Sequence, residues 1–486
     1  MFSKSRNNQK AHFPEEEKSK CLTMNYSKFF ELLFSFSNAE LRDFAAFASL
    51  GLNKLSRQDL EVLNAIVENI SSSTEADRNE EVVQGKVFQA FFAGSEPQKA
   101  KADWNHTKSR LTQPIRRYIA LLELEKEGLA KEELLLGYFE QHELEKNFKS
   151  HLKQVQKTRA NSKHDFDKEY KNYKLQELIL NYQGGQRKQQ DELEQMNRAL
   201  DNFYLENKLR IMVEQHNRHR IINAPKPADD DMRWGRSADL SQYGIGVRLF
   251  HAIYLMMCYP HEHEHYHQAK ELFGQHGKYF SDEYRRTVSG YLMNQCIYYC
   301  HQGERVFAGE FIRHLQYVIK HRLFISGESL SISKYTNAIY MALVSEELDW
   351  LEKFVAKYAT KVNHPHIESI NNLNKANILF HRGRYDKALE LLPTFDYSEM
   401  YFKITYDKLC IKLYFEKEMD QNLQSKLIAF EQYIKRKEEL TEDRKEKNLN
   451  FIRTVKDLTR TDRRPILLPK ESYLPLDYNW LEKKGT

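Results

Sequence analysis

The stretch at 374–392, "NKANILFHRGRYDKALELL", predicts two helices joined by a tight turn. The first helix ends at His381, Gly383 reverses the chain, and the second helix carries Ala388. A glycine at a helix end can adopt the positive φ that such a turn requires. Alanine has a small side chain that lets two helix backbones approach closely. The stretch is therefore typical of a helical hairpin packed through Ala388.

The same pattern occurs elsewhere in the second half of the chain. "HQGERVFA" at 301–308 and "HRGRYDKA" at 381–388 share a histidine, a glycine two residues later and an alanine five residues after that. Between them, "SEELDWLEKF" at 345–354 has Glu346 in place of the glycine and Leu351 in place of the alanine. These matches predict that one kind of hairpin recurs along this half of the chain.

A fourth match lies upstream, in "HEHEHYHQAKELF" at 261–273, with Glu264 at the turn position. Successive anchor residues at the helix contact are then 39, 43 and 37 residues apart. A period near 40 that is built from two helices is typical of an α-solenoid, in which each helix pair packs on the next. The four anchors are Ala269, Ala308, Leu351 and Ala388.

The composition agrees with a helical fold. The 486 residues include only 18 glycines and 11 prolines, which favours long helices over many short strands. Hydrophobic residues make up 41% and charged residues 29%, so a sizeable core is expected. The predicted fold class is all-α: a helical-repeat α-solenoid preceded by an N-terminal helical domain and by long amphipathic helices.

Changes in composition predict the domain boundaries. Two prolines, an aspartate triplet and two glycines make 223–244 the clearest break in the chain. Before this break, apolar residues that step by three and four predict a stripe on one long helix. These residues are Leu193, Met196, Leu200 and Phe203. The predicted parts are a disordered polar tail at 1–23, an N-terminal helical domain at 24–128, long amphipathic helices at 129–222, a linker at 223–244, helical repeats at 245–458 and an extended proline-containing tail at 459–486.

Charge and cysteine usage limit the class of protein. The 74 basic and 69 acidic residues leave a net charge of +5, which is too small to require a nucleic-acid partner. Five cysteines without a CxxC pair predict reduced thiols and a cytoplasmic location. No apolar run approaches the roughly 18 residues of a membrane span. The first 23 residues lack the apolar region of a signal peptide, and Met24 is an alternative start of the folded part.

Four histidines within seven residues raise the question of a metal site. In a helix, residues four apart share a face, and two imidazoles spaced in this way can hold zinc or nickel. A closed site needs further ligands, and the alternating glutamates are typical of a solvated turn. We therefore expect a surface turn, with no metal and no other cofactor. The candidate ligands are His261, His263, His265 and His267.

Cys296 and Cys300 lie one helical turn apart on the helix that precedes Gly303, at positions that face inward. Free cysteine commonly behaves as a small apolar residue, so we expect a buried thiol pair. The alternative is a metal cluster formed by the two thiols and His301.

The stretch at 374–392 resembles a tetratricopeptide repeat. That family has small, turn, aromatic and small residues at the places held here by Ala376, Gly383, Tyr385 and Ala388. The resemblance covers 245–436 and implies an α-solenoid that binds peptides in its groove. The whole chain also resembles a family of uncharacterised helical bacterial proteins that open with Phe-Ser-x-x-Glu-Leu-x-x-Phe, here at 36–44. The second resemblance implies no activity.

An asparagine lies nine residues before the turn residue of three hairpins: Asn294, Asn337 and Asn374. In a solenoid the first helix of each pair lines the concave face, so these amides would follow one groove. An amide offers the donors and the acceptor that match an extended peptide backbone. Each well-made bond would contribute about 0.5 to 1.5 kcal/mol. The neighbouring groove candidates are Ile297, Tyr340, Asn377, His301 and His381.

Two interpretations of these asparagines remain open. The resemblance to tetratricopeptide repeats implies that they hold a bound peptide, while the alternative is that they join helices within the repeat. The family's clamp for a carboxyl terminus also uses lysines beside the asparagines. Met293, Thr336 and Leu373 stand at those places here, so capture of a terminal carboxylate is not expected.

The expected function is that of a non-catalytic scaffold that binds a peptide or protein segment in the concave groove of the second half. No nucleophile elbow or complete phosphate-binding loop occurs, so no enzymatic activity is expected. One alternative is a metal-dependent enzyme that uses the turn at 261–267. The other is a peptide-responsive regulator that contacts nucleic acid through basic residues of the N-terminal helices. These residues are Lys99, Lys101, Lys108, Arg110, Arg116 and Arg117.

Overall fold

The computed structural model is all-α over the residues that it describes. Apart from short 3-10 turns and two isolated bridges, the described segments consist of α-helices and contain no strands. The predicted tail at 1–23 and Met24 lie outside these segments, as does most of 223–244. The structure describes residues 26–74, 78–94, 96–126, 128–182, 189–222, 225, 236, 239–325, 327, 329–392, 399–459 and 467–485.

The chain divides into two compact units, residues 1–160 and 161–486. The core of the first unit is rich in aromatic side chains; Phe30, Phe44 and Trp104 are all at most 1% exposed. Its helices are α1 (Lys28–Phe34), α2 (Asn38–Ala48), α3 (Arg57–Ser71), α4 (Glu80–Phe91), α5 (Pro97–Lys126), α6 (Gly128–Gln141) and α7 (Glu145–Asn161), which ends at the division.

Capping boxes start two of these helices. The Ser37 hydroxyl accepts a bond from the Glu40 backbone N–H at 3.3 Å, and the Glu40 carboxylate accepts one from the Ser37 backbone N–H at 2.8 Å. Ser56 and Asp59 form the same reciprocal pair at the start of α3. Each box satisfies backbone donors that the first turn of a helix leaves unpaired.

The second unit contains the remaining helices. They are α8 (Lys168–Tyr182), α9 (Gln189–Ile222), α10 (Ile245–Cys258), α11 (His263–His276), α12 (Asp282–His301), α13 (Val306–Lys320), α14 (Ile332–Val344), α15 (Leu348–Tyr358), α16 (Ile367–His381), α17 (Tyr385–Leu391), α18 (Met400–Glu416), α19 (Asp420–Arg436), α20 (Glu442–Leu458) and α21 (Pro475–Gly485). From α10 to α19, each odd-numbered helix packs on the helix before it, which gives five consecutive hairpins in the described residues.

The division into units does not fall at the predicted linker, 223–244. Helix α9 precedes that segment and α10 follows it, yet the two helices pack on each other. Leu205, Leu209 and Val213 of α9 belong to the same buried core as α10. A change in composition marks a loop, but the shared apolar core decides which helices form one unit.

The apolar stripe predicted for α9 is only partly correct. Leu193 and Leu200 are 45% and 41% exposed, and Met196 and Phe203 are half-buried. The fully buried residues Leu209 and Val213 lie nearer its C-terminal end, on the part of the helix that shares a core with α10. Helical spacing identified an apolar face, but it could not tell which part of that face a neighbouring helix covers.

The predicted hairpin turns recur with one local geometry. Gly303, Glu346 and Gly383 all have positive φ, at 88°, 59° and 72°. The anchor five residues after each of them, Ala308, Leu351 or Ala388, is fully buried. A left-handed residue ends the first helix, and the anchor then packs the second helix on the first.

The alignment of the remaining hairpins needs two corrections. Glu264 lies inside α11 rather than at a turn, although the anchor Ala269 is fully buried as expected. The hairpin of α18 and α19 lies within the predicted repeats, but no turn or anchor was predicted for it. Its turn residue Glu418 has a φ of 54°, and Leu423, five residues later, is 1% exposed. Leu423 follows the anchor Ala388 by 35 residues, so the same local arrangement continues beyond the predicted matches.

The tail predicted as extended ends in a helix. Pro475 is the first residue of α21, where proline fits because its missing N–H would have no partner within the helix. Tyr473 and Leu481 are fully buried against α18 and α20. Among the described helices, none combines the length and the apolar character that crossing a bilayer requires.

Candidate functional site

A cavity of about 490 Å³ lies within the second unit. Its walls come mainly from the first helices of successive hairpins, α12, α14, α16 and α18, with contributions from α9, α20 and the start of α21. The volume lies in the range of about 300 to 1,000 Å³ that is usual for ligand pockets. All eight groove residues predicted from the sequence line this cavity: Asn294, Asn337, Asn374, Ile297, Tyr340, Asn377, His301 and His381.

Three of the predicted groove asparagines, Asn294, Asn337 and Asn374, form what we call the asparagine ladder, and they differ in their hydrogen bonds. The Asn294 amide donates to Asn217 Oδ1 at 3.1 Å and so joins α12 to α9, a helix that precedes the predicted repeats. Asn374 is 7% exposed, and its Nδ2 lies beside the Tyr335 hydroxyl but makes no hydrogen bond of normal geometry among the described residues. Asn337 is exposed and makes no side-chain hydrogen bond within the described part of the chain. Asn294 therefore joins two helices, whereas the side chain of Asn337 is left without a hydrogen bond among the described residues.

Unpartnered polar atoms are concentrated in the cavity lining. Four lining residues each have a buried side-chain atom that forms no hydrogen bond of normal geometry with the described residues, although the amides of Gln295 and Asn374 lie beside the hydroxyls of Tyr299 and Tyr335. Leaving such an atom unsatisfied costs about 1 to 3 kcal/mol, which a ligand with matching groups would offset. Sequence patterns missed two of these residues. Gln295 adjoins the asparagine ladder, and Asn448 lies on α20, outside the aligned hairpins. The four atoms are Gln295 Nε2, Tyr340 Oη, Asn374 Nδ2 and Asn448 Oδ1.

Two tyrosines on α14, Tyr340 and Tyr335, provide a test of whether the Tyr340 hydroxyl in the cavity has a hydrogen-bond partner. Replacing Tyr340 with phenylalanine removes only an unpartnered oxygen, so the free energy of unfolding should be unchanged or raised by up to about 1 kcal/mol. Tyr335→Phe should lower it by about 1 kcal/mol, because the Tyr335 hydroxyl donates to Asn371 Oδ1 at 2.8 Å. Urea unfolding followed by circular dichroism measures both values. An equal loss in the two variants would show that Tyr340 has a partner.

Two lysines of α18 bring positive charge into the cavity. Lys408 and Lys412 are each 7% exposed, and both donate to the carboxylate of Asp477 at the start of α21, Lys412 at 2.9 Å. With Glu418 as the turn residue, the position nine residues earlier is Leu409, which also lines the cavity. Lys408 therefore holds the place that Met293, Thr336 and Leu373 hold in the other hairpins.

Two arginines complete the charged part of the lining. Arg220 donates to Gln295 Oε1 at 2.7 Å and to the Met257 carbonyl, and its guanidinium lies 4.3 Å from the centre of the Tyr298 ring. Arg444 is exposed, and its side chain forms no hydrogen bond or ion pair within the described segments. The cavity therefore has one arginine that is held in place and one that is unengaged.

The two cavity histidines are neutral at physiological pH. Burial, followed by the positive charges of Arg444, Lys447 and Lys408, lowers the pKa of His301 to about 3. Burial and the charges of Lys412 and Lys483 outweigh the opposite effect of Glu346 and lower the pKa of His381 to about 4. Both imidazoles therefore act as neutral hydrogen-bonding groups that add no charge to the cavity.

No protein-family model, curated protein or solved structure matches this chain. The resemblances to tetratricopeptide repeats and to the bacterial family therefore stay predictions. The chemistry of the cavity follows from its own residues.

The histidine run lies on the surface at the start of α11. His261 and His267 are exposed, while His263 Nε2 lies 3.1 Å from Glu304 Oε1 and His265 Nε2 lies 3.1 Å from Glu262 Oε2. Tyr266, between the histidines, is fully buried. Two of the imidazoles thus face carboxylates, and the four do not form one of the described groups that could hold a metal.

Cys296 and Cys300 are both fully buried, as predicted. Tyr266 Oη lies 3.3 Å from the Cys296 sulfur, and burial raises the pKa of that thiol to about 12. Burial also raises the pKa of the Cys300 thiol. A metal ligand must be a thiolate, and these environments favour the thiol.

A cluster that the sequence patterns missed lies where α8, α9 and α12 meet. His164 Nε2 is 3.0 Å from Glu206 Oε1, His164 Nδ1 is 3.7 Å from Glu169 Oε1, and the Tyr284 hydroxyl donates to Glu206 at 3.0 Å. Within the described residues this is the one group of three side chains close enough to share a metal. Each imidazole nitrogen of His164 faces a carboxylate oxygen, Glu206 on one side and Glu169 on the other.

The basic residues proposed to contact nucleic acid do not form one surface of α5. With 3.6 residues per turn, they fall on two sides of the helix, one of which carries Lys99, Arg110 and Arg117. Arg110 pairs with the buried Asp59 at 2.7 Å, and Arg117 donates to the Leu52 carbonyl at 3.1 Å. Part of the cluster therefore serves the fold of the first unit.

Proposed function

We propose that this protein is a non-catalytic helical-repeat scaffold that binds a peptide segment in the cavity of its second half. The observation that carries the proposal is that all eight predicted groove residues line one cavity together with four unpartnered buried polar atoms. The recurring turn and anchor geometry of the hairpins supports a solenoid arrangement. In that arrangement the first helices form a continuous binding face.

The polar atoms of the lining suit a peptide backbone. Gln295 Nε2 and Asn374 Nδ2 are donors for peptide carbonyls, Asn448 Oδ1 is an acceptor for a peptide N–H, and Tyr340 Oη can serve as either. The lining also contains apolar side chains that suit the side chains of a bound segment, among them Ile297, Leu343 and Phe380.

The same residues give little support to catalysis in the cavity. A general acid or base works best with a pKa near the operating pH, and the pKa values of His301 and His381 lie far below neutral pH. Lys408 and Lys412 both pair with the carboxylate of Asp477, and this ion pair, rather than the burial that lowers the pKa of Lys408, favours a binding role.

A displayed library of random seven-residue peptides tests the proposal. The wild-type protein should enrich related sequences, and synthetic copies of these should bind with a measurable dissociation constant in fluorescence anisotropy. Changing Asn294, Asn337 and Asn374 together to alanine should weaken binding about tenfold or more, since each lost bond costs roughly 0.5 to 1.5 kcal/mol.

The matched control changes three asparagines outside the cavity to alanine. Asn69 and Asn207 donate to backbone carbonyls of their own helices, and Asn422 is exposed. The control should bind as the wild type does, and both triple variants should keep the helical circular dichroism spectrum. Failure to enrich any peptide, or equal binding by a folded cavity variant, would contradict the proposal.

A further inference from the structure

We infer that the ligand of this cavity is acidic and that it places an oxyanion beside Arg444 and Lys408. The identity of the ligand as a peptide rests on the proposed function, while the preference for an anion rests on the charges of the cavity alone. The oxyanion is assigned to an acidic side chain of the bound segment.

The charges of the lining do not balance. Four lining residues are basic, namely Arg220, Lys408, Lys412 and Arg444, and Asp477 is the one carboxylate in the lining. Burial, partly offset by the charge of Asp477, lowers the pKa of Lys408, and burial keeps His301 and His381 neutral at physiological pH. Basic groups therefore outnumber carboxylates four to one around a cavity bounded largely by protein. Removing cations from water is costly unless a counter-charge is near, and an anionic ligand would supply it.

Arg444 is the cation that is best placed to receive the ligand. Lys408 and Lys412 share Asp477, and Arg220 is held by Gln295 and the Met257 carbonyl. The Arg444 guanidinium has no such partner in the described residues, yet it is close enough to lower the pKa of His301 and of Lys408. A guanidinium presents paired N–H groups that fit both oxygens of a carboxylate.

A neutral donor lies beside this cation. Tyr340 lines the same cavity, and its unpartnered hydroxyl can donate to an oxyanion oxygen. Burial, together with the charge of Asp477, raises the pKa of Tyr340 well above the usual tyrosine value, so the hydroxyl keeps its proton. Arg444, Lys408 and Tyr340 thus offer charge and hydrogen bonds from three different helices.

The first arm of the test uses small anions as probes. Succinate and inorganic phosphate are titrated by calorimetry into the wild-type protein, into Arg444→Gln and into Arg453→Gln at constant ionic strength. Arg453 lies on the same helix as Arg444, is 60% exposed, pairs with Glu446 and does not line the cavity. Succinate should bind the wild type and the Arg453 control equally and should bind Arg444→Gln about tenfold more weakly or worse.

The second arm uses peptides enriched from the displayed library. They are synthesised with acetylated and amidated ends, so that side chains alone carry charge. Changing the acidic residue of such a peptide to its amide should weaken binding to the wild type about tenfold and should change binding to Arg444→Gln much less. Succinate should compete with the acidic peptide.

The outcomes separate this inference from the proposed function. Peptides that bind without an acidic preference and are insensitive to Arg444→Gln would overturn the inference and leave the peptide groove in place. Succinate binding that depends on Arg444, in a protein that enriches no peptide, would support the anion site and refute the groove. Binding of phosphate alone would overturn the assignment of a carboxylate. No binding in either arm would refute both.

Discussion

Replacing Asp477 with alanine is expected to lower the free energy of unfolding of the second unit by about 3 to 5 kcal/mol. Asp477 is 2% exposed, and its carboxylate accepts hydrogen bonds from two ammonium groups, those of Lys408 and Lys412. Alanine would leave both cations buried without a counter-charge. Breaking a buried ion pair from one side costs more than the pair contributes, because the remaining charge has lost its solvation.

Three further variants separate the effect of charge from the effect of packing. Changing Asp477 to leucine together with Lys408 and Lys412 to methionine removes every charge of the triad and should recover most of the lost stability. The surface control is Glu442→Ala, since Glu442 is 89% exposed and pairs with Lys445, and it should leave the midpoint of urea unfolding unchanged. A small loss in Asp477→Ala, similar to that of the control, would show that water reaches the lysines.

The hairpins of the second unit could be predicted because their signal is local. A residue with positive φ followed by a buried anchor five residues later links neighbouring positions, and glycine marks two of the four predicted turn positions, at Gly303 and Gly383. The hairpin of α18 and α19 has Glu418 and Leu423 at these positions, and it lies beyond the last of the sequence matches. Lys408 and Lys412 were missed for the same reason, although counting back from Glu418, as in the other hairpins, places both lysines at groove positions.

The remaining parts of the cavity depend on contacts between residues far apart in the chain. Asp477 meets Lys408 across 69 residues, and Asn294 meets Asn217 across 77. A pattern of helical spacing describes the face of one helix and does not determine which distant helix covers it. Prolines near the end of the chain suggested an extended tail, but Pro475 instead starts the helix that supplies Asp477. The asparagine ladder was a local pattern, and its members line one cavity.

The second large effect is expected at Gly246, in the first turn of α10. A Cβ at this position would clash with both carboxylate oxygens of Glu206. The carboxylate cannot move away freely, because it is 4% exposed and is held by His164 at 3.0 Å and by the Tyr284 hydroxyl at 3.0 Å. Gly246→Ala should therefore lower the free energy of unfolding by about 2 to 4 kcal/mol, through overpacking and the loss of buried hydrogen bonds.

Gly290→Ala is the matched control, because Gly290 lies within α12 and a Cβ there meets nothing within 4 Å. Alanine loses less conformational entropy in a helix than glycine, so this variant should gain about 0.5 to 1 kcal/mol. A double-mutant cycle then identifies the clash in Gly246→Ala: in a Glu206→Ala background, the same substitution should cost little, since the opposing carboxylate is gone. Equal costs of Gly246→Ala in both backgrounds would show that the cost does not come from a clash with the Glu206 carboxylate.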